Sequence, residues 1–343
     1  MIGIIGAGIS GLSTGYHLQK AGVDYILLEA SDVPGGYIKT YREKNYVLEI
    51  GPNSLMADSE LLTLIKELGI ENELVASNPV SKNRYIYKGR RYRKLPSGPL
   101  SLLFSNYFSI STRYLILKEL FLKPGSINSS EDDSLETFFL RHFGREVVNY
   151  ALDPFISGIY AGNPKELLVS ETFPSLLEIE KKYGSVLKGL AKAAGERKAS
   201  YNFKKGMQTL TDALAAKLKY INLGTRVEKI ENKDNQYLVT ARKNGELKSY
   251  TCQELVFASD TASAASLLEP LAPSVAQKLA AVEYAPMVAV HSIYKKHHIG
   301  KVLDGFGALN PRSEDLFISG TIWTSSVFPG RCADDEVVFT SFV

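Results

Sequence analysis

An α/β protein is what this sequence predicts, on three observations. A strand, a glycine turn and a helix follow one another at the N-terminus. A second apolar strand comes straight after and closes on a carboxylate, Glu29, and short strands punctuated by turn residues resume near Asn202, beyond a long helical stretch. Together they describe a βαβ unit, a helical insert and a second, mixed-sheet domain.

Each element has a local reason. Ile2, Ile4 and Ile5 make the opening run apolar, Leu12 to Lys20 is helical, Gly22 suits the helix C-terminus, and Tyr25 to Leu28 is a second buried strand. A helix is predicted over Glu60 to Leu68, where Leu61, Leu62, Leu64, Ile65 and Leu68 precede Gly69. From about Ser81 to Lys198 the chain becomes largely helical, and Asp133 with Glu136 has the spacing of a capping box beside Leu135, Phe138, Phe139 and Leu140. Strands return at Thr225 to Ile230, Tyr237 to Arg242 and Leu247 to Thr251, the last two joined over Asn244-Gly245, which supplies positive φ to a tight hairpin. Leu255 to Ala258 reads as a buried strand, Asp260 as the cap of a helix Thr261 to Leu268, and Met287 to Tyr294 as the start of a second sheet. The expected division is a first domain in two parts, 1–80 and 199–270, an insert at 81–198 and an incomplete sheet domain at 271–343. Glu336 to Val343 reads as a strand in progress, so a chain truncated at the C-terminus is expected.

Composition bounds the function. With 343 residues, 45% hydrophobic and 22% charged, the chain has apolar material for more than one core. A net charge of +3 does not demand a nucleic acid. Two cysteines and five scattered histidines predict neither a disulfide framework nor a metal site. The strand-like start leaves no room for a signal peptide, and no stretch approaches the roughly 18 apolar residues of a spanning helix. A cytoplasmic protein is expected, soluble or peripheral at the inner face of the membrane.

Gly6-Ala7-Gly8-Ile9-Ser10-Gly11 falls between a predicted strand and a predicted helix, the context that gives a GxGxxG pattern meaning. Gly6 permits the sharp turn, Gly8 lets a pyrophosphate approach the backbone, and Gly11 lets helix and strand pack closely. The helix start, with Ser10 in its first turn, then offers unpaired N–H groups to phosphates. Glu29, followed by Ala30, lies where a carboxylate accepts hydrogen bonds from both ribose hydroxyls of an adenosine and repels a 2′-phosphate, which argues against NADP. The rival reading is a glycine turn in a nucleotide-free protein with Glu29 a surface charge; strand, glycines, helix and acid together weigh against it. NAD and FAD share this pattern.

The residues that follow choose between them. Gly35, six residues beyond Glu29, is followed by Gly36, and in this double glycine the sequence resembles the flavoprotein amine oxidase superfamily. The resemblance implies FAD and a Rossmann-type FAD-binding domain, with the two glycines allowing backbone to run beside pyrophosphate and ribityl chain. It extends to Phe203-Lys204-Lys205-Gly206-Met207-Gln208-Thr209-Leu210, where Lys205 replaces a usual glycine. At Thr225-Arg226-Val227 it implies that the Val227 backbone meets adenine, although a core strand alone would also place a valine there. Lys39 stands where relatives carry arginine, a point charge in place of a planar fork.

Within the superfamily the sequence resembles the protoporphyrinogen oxidases. Four patches carry the likeness: Glu49-Ile50-Gly51-Pro52-Asn53-Ser54; Asn83-Arg84-Tyr85-Ile86-Tyr87 with Leu95-Pro96; Pro154-Phe155-Ile156-Ser157-Gly158-Ile159-Tyr160-Ala161-Gly162; and Gly320-Thr321-Ile322-Trp323-Thr324-Ser325-Ser326-Val327-Phe328-Pro329. The implied reaction takes hydride from a tetrapyrrole carbon to flavin N5, with oxygen as acceptor, and the implied substrate is protoporphyrinogen IX or coproporphyrinogen III in haem biosynthesis. Gly51, Pro52 and Asn53 are implied to border the isoalloxazine, with Asn53 a polar, unionised neighbour of the reacting centre. Read from the residues alone, Gly51-Pro52-Asn53 is simply a turn. Arg84 is implied to face a substrate propionate, and Trp323 to pack on the macrocycle, with an ordinary core tryptophan as its rival.

Arg84 also sits in a basic run with Lys82, Lys88, Arg90, Arg91, Arg93 and Lys94, interleaved with Tyr85, Tyr87 and Tyr92. A solvated hairpin, a substrate or anionic-membrane contact and a nucleic-acid patch all fit that pattern, the last being the least favoured, so no nucleic-acid partner is expected. The segment Leu100 to Leu122 reads as an interfacial surface or as buried helix packing. Peripheral membrane contact and a homodimer stay open. A related amine oxidase or polyene desaturase, and a non-catalytic basic binding protein, are the competing functions.

Overall fold

Strand β1 (Ile2–Ile5) carries apolar residues on both faces because both faces are covered. The computed structural model describes residues 1–96, 98–192 and 199–343, with only the backbone at Pro99, Leu100 and Leu103. The expected insert boundary at Lys198 and the side chain of Leu100 lie outside the described residues. Two units emerge, each made from two stretches of chain: Met1–Ala76 with Ala199–Tyr284, and Ser77–Lys198 with Ala285–Val343.

In the first unit β1 is an inner strand of a four-stranded parallel sheet. It lies between β2 (Tyr25–Leu28) and the strand Glu254–Phe257, with Ile221–Asn222 beyond β2. Ile4 and Leu27 join a cluster with Leu12, Ile65, Phe203 and Leu214; Ile5 and Leu28, one residue on, join Ile230, Val239, Ala241 and Cys252. The period-two alternation of a strand thus places helices such as α1 (Ile9–Lys20) on one face and an antiparallel meander on the other. The meander runs Thr225–Lys233, Gln236–Lys243, Glu246–Cys252, and its last turn sets Asn244 at φ +51° and Gly245 at φ +85°. Asp260 accepts from the Ser263 N–H at 2.8 Å and starts the helix Thr261–Leu268.

The second unit joins sheet and helices. Its six strands run, in spatial order, Ala289–Lys295, Glu336–Phe342, Gly320–Ile322, Gly307–Leu309, Arg84–Tyr87 and Tyr92–Lys94. The stretch predicted as a helical insert therefore opens with two strands, paired through Gly307–Leu309 with the last part of the chain. The basic run is a hairpin: Gly89 and Arg90, both at φ +62°, make the turn, which matches the right-handed twist of the flanking strands. Lys88 departs from a solvated face. Its ammonium lies 2.6 Å from Glu146 and 4.4 Å from the Tyr150 ring centroid, and it donates to Tyr107 O at 2.7 Å.

Two further expectations need correction. The helix Leu135–Phe143 is capped by Ser134, whose hydroxyl accepts from the Thr137 N–H at 3.1 Å, while Asp133 is drawn to Arg141 and Glu136 to Arg145. The short hydroxyl reaches the third helical N–H, so the acids are free to form ion pairs instead. The segment after Leu100 is neither wholly buried nor wholly interfacial: Tyr107, Phe108 and Ile116 are core, whereas Phe104, Ile110, Tyr114 and Phe121 are exposed. Below it, buried His142 lies 2.7 Å from Glu180 and 3.3 Å from Glu119, tying the helices Ile110–Glu119, Leu135–Phe143 and Pro174–Tyr183.

Glu146 makes this unit acid-sensitive. Burial raises its pKa, but hydrogen bonds from Lys88, Ser109 and Thr112 outweigh it and hold the group at about 2. A depressed folded-state pKa stabilises the fold above the ordinary carboxylate value and loses that contribution as pH falls toward 2, here about 1 to 2 kcal/mol once solvent screening of this half-buried group is allowed for. Glu146→Gln is expected to lower the stability of the unit by that order at pH 7 in chemical denaturation, with the gap from the parent protein narrowing below pH 4.

Candidate functional site

The turn between β1 and α1 presents backbone rather than side chains. Gly6 has φ +107°, and a Cβ there would lie 2.7 Å from Ala258 O; a Cβ on Gly11 would lie 1.9 Å from Gly6 O. Gly8 differs. Its φ of −67° suits any residue, and a Cβ would meet nothing nearer than Ala258 O at 4.0 Å. Packing within the unit does not demand glycine here, whereas a bulky group resting on the backbone would. Gly8 is the N-cap of α1, with no side-chain cap and no acid in the first turn, so the N–H groups around Ser10 keep their attraction for an anion.

Three strands of backbone converge on this turn. Glu29, half-buried at the end of β2, accepts from the Ala7 N–H at 2.6 Å and the Ser31 N–H at 2.8 Å. A carboxylate has about four acceptor positions, so two remain for ribose hydroxyls. Gly35 donates to Ala7 O at 2.8 Å and Gly36, at φ +57°, would carry a Cβ 3.1 Å from Gly8 Cα. Thr225 donates to Glu29 O at 2.7 Å, which brings half-buried Val227 alongside, and the ladder is irregular immediately after Val227. Ala30 is exposed beside Glu29. An N-cap left open, a glycine with unclaimed space before it and a carboxylate with acceptor capacity fit the diphosphate and ribose of a dinucleotide.

Gly51, Pro52 and Asn53 follow the hairpin strands Thr40–Glu43 and Tyr46–Glu49. A Cβ on Gly51 would lie 1.9 Å from Tyr37 O, so this turn is pressed against the chain leaving the double glycine, and Lys39, itself exposed, accepts the Ile50 N–H at 2.9 Å through its carbonyl. Asn53 Oδ1 is buried with no hydrogen-bond partner among the described residues. That is the orphaned acceptor expected where an outside N–H or O–H is to be met. The sequence also left a residue unassigned here. Glu49, 1% exposed, accepts from Thr40 Oγ1 at 2.7 Å, Asn202 Nδ2 at 3.0 Å and the Met207 N–H at 3.0 Å. Its signals in the sequence are a carboxylate between apolar Leu48 and Ile50 and its place at the head of the Glu49 to Ser54 patch.

In the second unit Arg84 is the exposed first residue of its strand. Its guanidinium lies over Phe306 at 4.8 Å from the ring centroid, and among the described residues no carboxylate pairs with it. Desolvation alone pulls its pKa below the ordinary arginine value. Trp323 is 7% exposed and packs on Tyr85, ring centroids 5.2 Å apart, in a cluster with Ala308, Leu303 and Phe339, the packing that its reading as a core tryptophan expects. A cavity of about 650 Å³ on the meander, lined by Ile230, Tyr237, Leu255, Phe257, Leu268 and Leu271 among others, contains none of these residues.

Comparisons with known proteins agree with this geometry. A family model described as flavin containing amine oxidoreductase matches residues 9–343. The mitochondrial protoporphyrinogen oxidase of Nicotiana tabacum is 29% identical over 380 aligned positions, covering 100% of this chain and 75% of that protein. Chloroplastic protoporphyrinogen oxidase 1 of Arabidopsis thaliana is 30% identical, covering 99% and 68%, and the human protoporphyrinogen oxidase 29%, covering 95% and 73%. Among solved structures, one from Exiguobacterium, provisionally described as a protoporphyrinogen oxidase, superposes with a TM-score of 0.80 at 22% identity, covering 100% of this chain and 76% of its own. A putrescine oxidase superposes at 0.71 and 17%, covering 100% and 75%. At these identities the structures speak for the fold.

Gly8 gives the cradle a clean test. Gly8→Ala is expected to leave thermal stability close to that of the parent protein, because the added methyl meets no neighbour, yet to cut the flavin retained through purification; visible absorbance per mole of protein measures it.

Proposed function

This chain belongs to the flavin containing amine oxidoreductase family, an FAD-dependent oxidoreductase, and from that premise we propose that it oxidises a porphyrinogen, protoporphyrinogen IX or coproporphyrinogen III, with oxygen as final acceptor, in haem biosynthesis. The observation that carries the reading is the partly desolvated guanidinium of Arg84, which no carboxylate among the described residues pairs, in a chain 29% identical over its whole length to a protein named protoporphyrinogen oxidase. Both candidate substrates carry carboxylate arms, and an arginine fork without an internal partner is suited to them.

In this reading Gly6, Gly8, Ser10 and Gly11 hold the diphosphate through backbone N–H groups, Glu29 and Ala30 meet the ribose, and Val227 meets the adenine. Gly35, Gly36 and Lys39 line the ribityl side, and Gly51, Pro52 and Asn53 border the ring system. Bound FAD supplies the two-electron acceptor for a hydride leaving a substrate carbon. The chain's own contribution is positional. Arg84 binds an acidic arm of the substrate, Trp323 and Tyr85 stiffen the strand that presents Arg84, and Asn53 offers a neutral acceptor that neither gains nor loses charge as the reaction proceeds. Purified protein carrying FAD, given each porphyrinogen in air, is expected to develop porphyrin fluorescence; flavin that stays oxidised under anaerobic mixing with both compounds sinks the reading. Arg84→Ala should raise KM about 10- to 100-fold, the worth of one charge-assisted contact, with kcat changing far less.

We also propose peripheral contact with the inner face of a membrane. Ile110, Tyr114, Leu117 and Phe121 are 79%, 66%, 43% and 74% exposed and recur at helical spacing, with Lys118 among them, while no described helix is long and apolar enough to cross a membrane. Tyr114→Glu with Phe121→Glu is expected to weaken co-flotation with phosphatidylglycerol vesicles on the order of tenfold, from lost apolar burial and added repulsion.

A further inference from the structure

We infer that Glu49 and Asn202 act as a positioning pair for Asn53, an assignment that rests on the flavin reading of the 51–53 turn. Asn202 lies on the strand Ala199–Phe203 and is 1% exposed. Its single amide nitrogen donates twice, to Glu49 Oε1 at 3.0 Å and to Asn53 O at 2.7 Å. Both amide hydrogens are thereby committed, which fixes which way the amide points and hence where the Asn53 backbone sits. Glu49 fixes Asn202 in turn. Its carboxylate also takes the Thr40 hydroxyl and the Met207 N–H, and the Thr40 hydroxyl accepts the Gln208 N–H at 3.1 Å.

Three groups, Thr40 from its own hairpin and Asn202 and Met207 from far along the chain, meet on this one carboxylate, and the last bond in the series ends on the residue whose side-chain oxygen has no partner among the described residues. A buried polar group costs free energy unless fully bonded, so a hydrophobic residue would stabilise an ordinary turn more simply. A network of directional bonds does what apolar packing does not: it fixes the 51–53 backbone in one orientation. Glu49 and Asn202 touch neither substrate nor cofactor in this assignment; they act through Asn53.

The test is read on the flavin before any substrate is added. In the FAD-loaded protein, Asn202→Ala and Glu49→Gln are expected to alter visible circular dichroism and fluorescence quenching of the bound flavin, each normalised to flavin content. They should also lower kcat with porphyrinogen on the order of tenfold or more, with KM within about threefold. The double variant should be little worse than the stronger single one, because both changes break one chain of bonds. Unchanged flavin spectra and unchanged turnover per bound flavin, or fully additive losses, would overturn the assignment. Should Glu49→Gln fail to fold, Asn202→Ser, which keeps a short polar side chain but cannot span both acceptors, decides the matter by the same spectra. A changed flavin spectrum with no porphyrinogen turnover even in the parent protein would leave the pair standing and remove the substrate reading instead.

Discussion

Close approach of bare backbone is the constraint on which the first unit depends. Gly6 lies against Ala258, Gly11 against Gly6 and Gly51 against Tyr37, each so near that a methyl group would force the chain apart, and Gly36 against Gly8 is only slightly looser. The parallel sheet brings the strand ends to one edge, and the glycines let the turns leaving that edge nest together. Glu29 then closes the corner by accepting N–H groups from two of those turns. Binding capacity here is a by-product of how tightly main chain can be stacked: once side chains are excluded, what remains facing out is N–H groups and a helix start.

Each unit also contains a buried polar assembly that packing alone would not select. In the first it is Glu49 with Thr40, Asn202 and Met207; in the second, Lys88 with Glu146 under three aromatic rings, and His142 between Glu119 and Glu180. All three join segments far apart in sequence. They resemble registers more than sources of stability, since a buried ion pair gains little over apolar packing but loses heavily when half of it is removed.

What could be read in the sequence was what neighbours decide. β1, α1 and β2 were legible because Ile4 and Ile5 alternate and the glycines interrupt them on schedule; the Asn244-Gly245 turn was legible because its chemistry is local. The cap at Ser134 was missed because Asp133 and Ser134 are both good caps, and only Arg141, eight residues away, decides which is free. A hairpin at Arg84 and Tyr92 was among the readings of the basic run, but its place in a six-stranded sheet was hidden, since the partner of the Arg84 strand, Gly307–Leu309, comes from a remote part of the chain. Trp323 was undecidable from composition, because its neighbour Tyr85 lies far away in sequence. Of the candidate site, the glycines and Glu29 announce themselves by spacing, whereas Glu49 and Asn202 become neighbours only after folding.

The interrupted construction of both units has a consequence for biosynthesis. Ile2 pairs with Tyr25 early but finds its other sheet partner at Glu254, and Arg84 waits for Gly307, so neither core can close while the ribosome is still in the middle of the gene. A nascent chain must leave the outer edge of β1 and that of β2 unpaired for most of its synthesis, exposing sticky edges in the interval. Dependence on chaperones during translation, and a tendency to form inclusion bodies when expression is fast, are what such threading would bring.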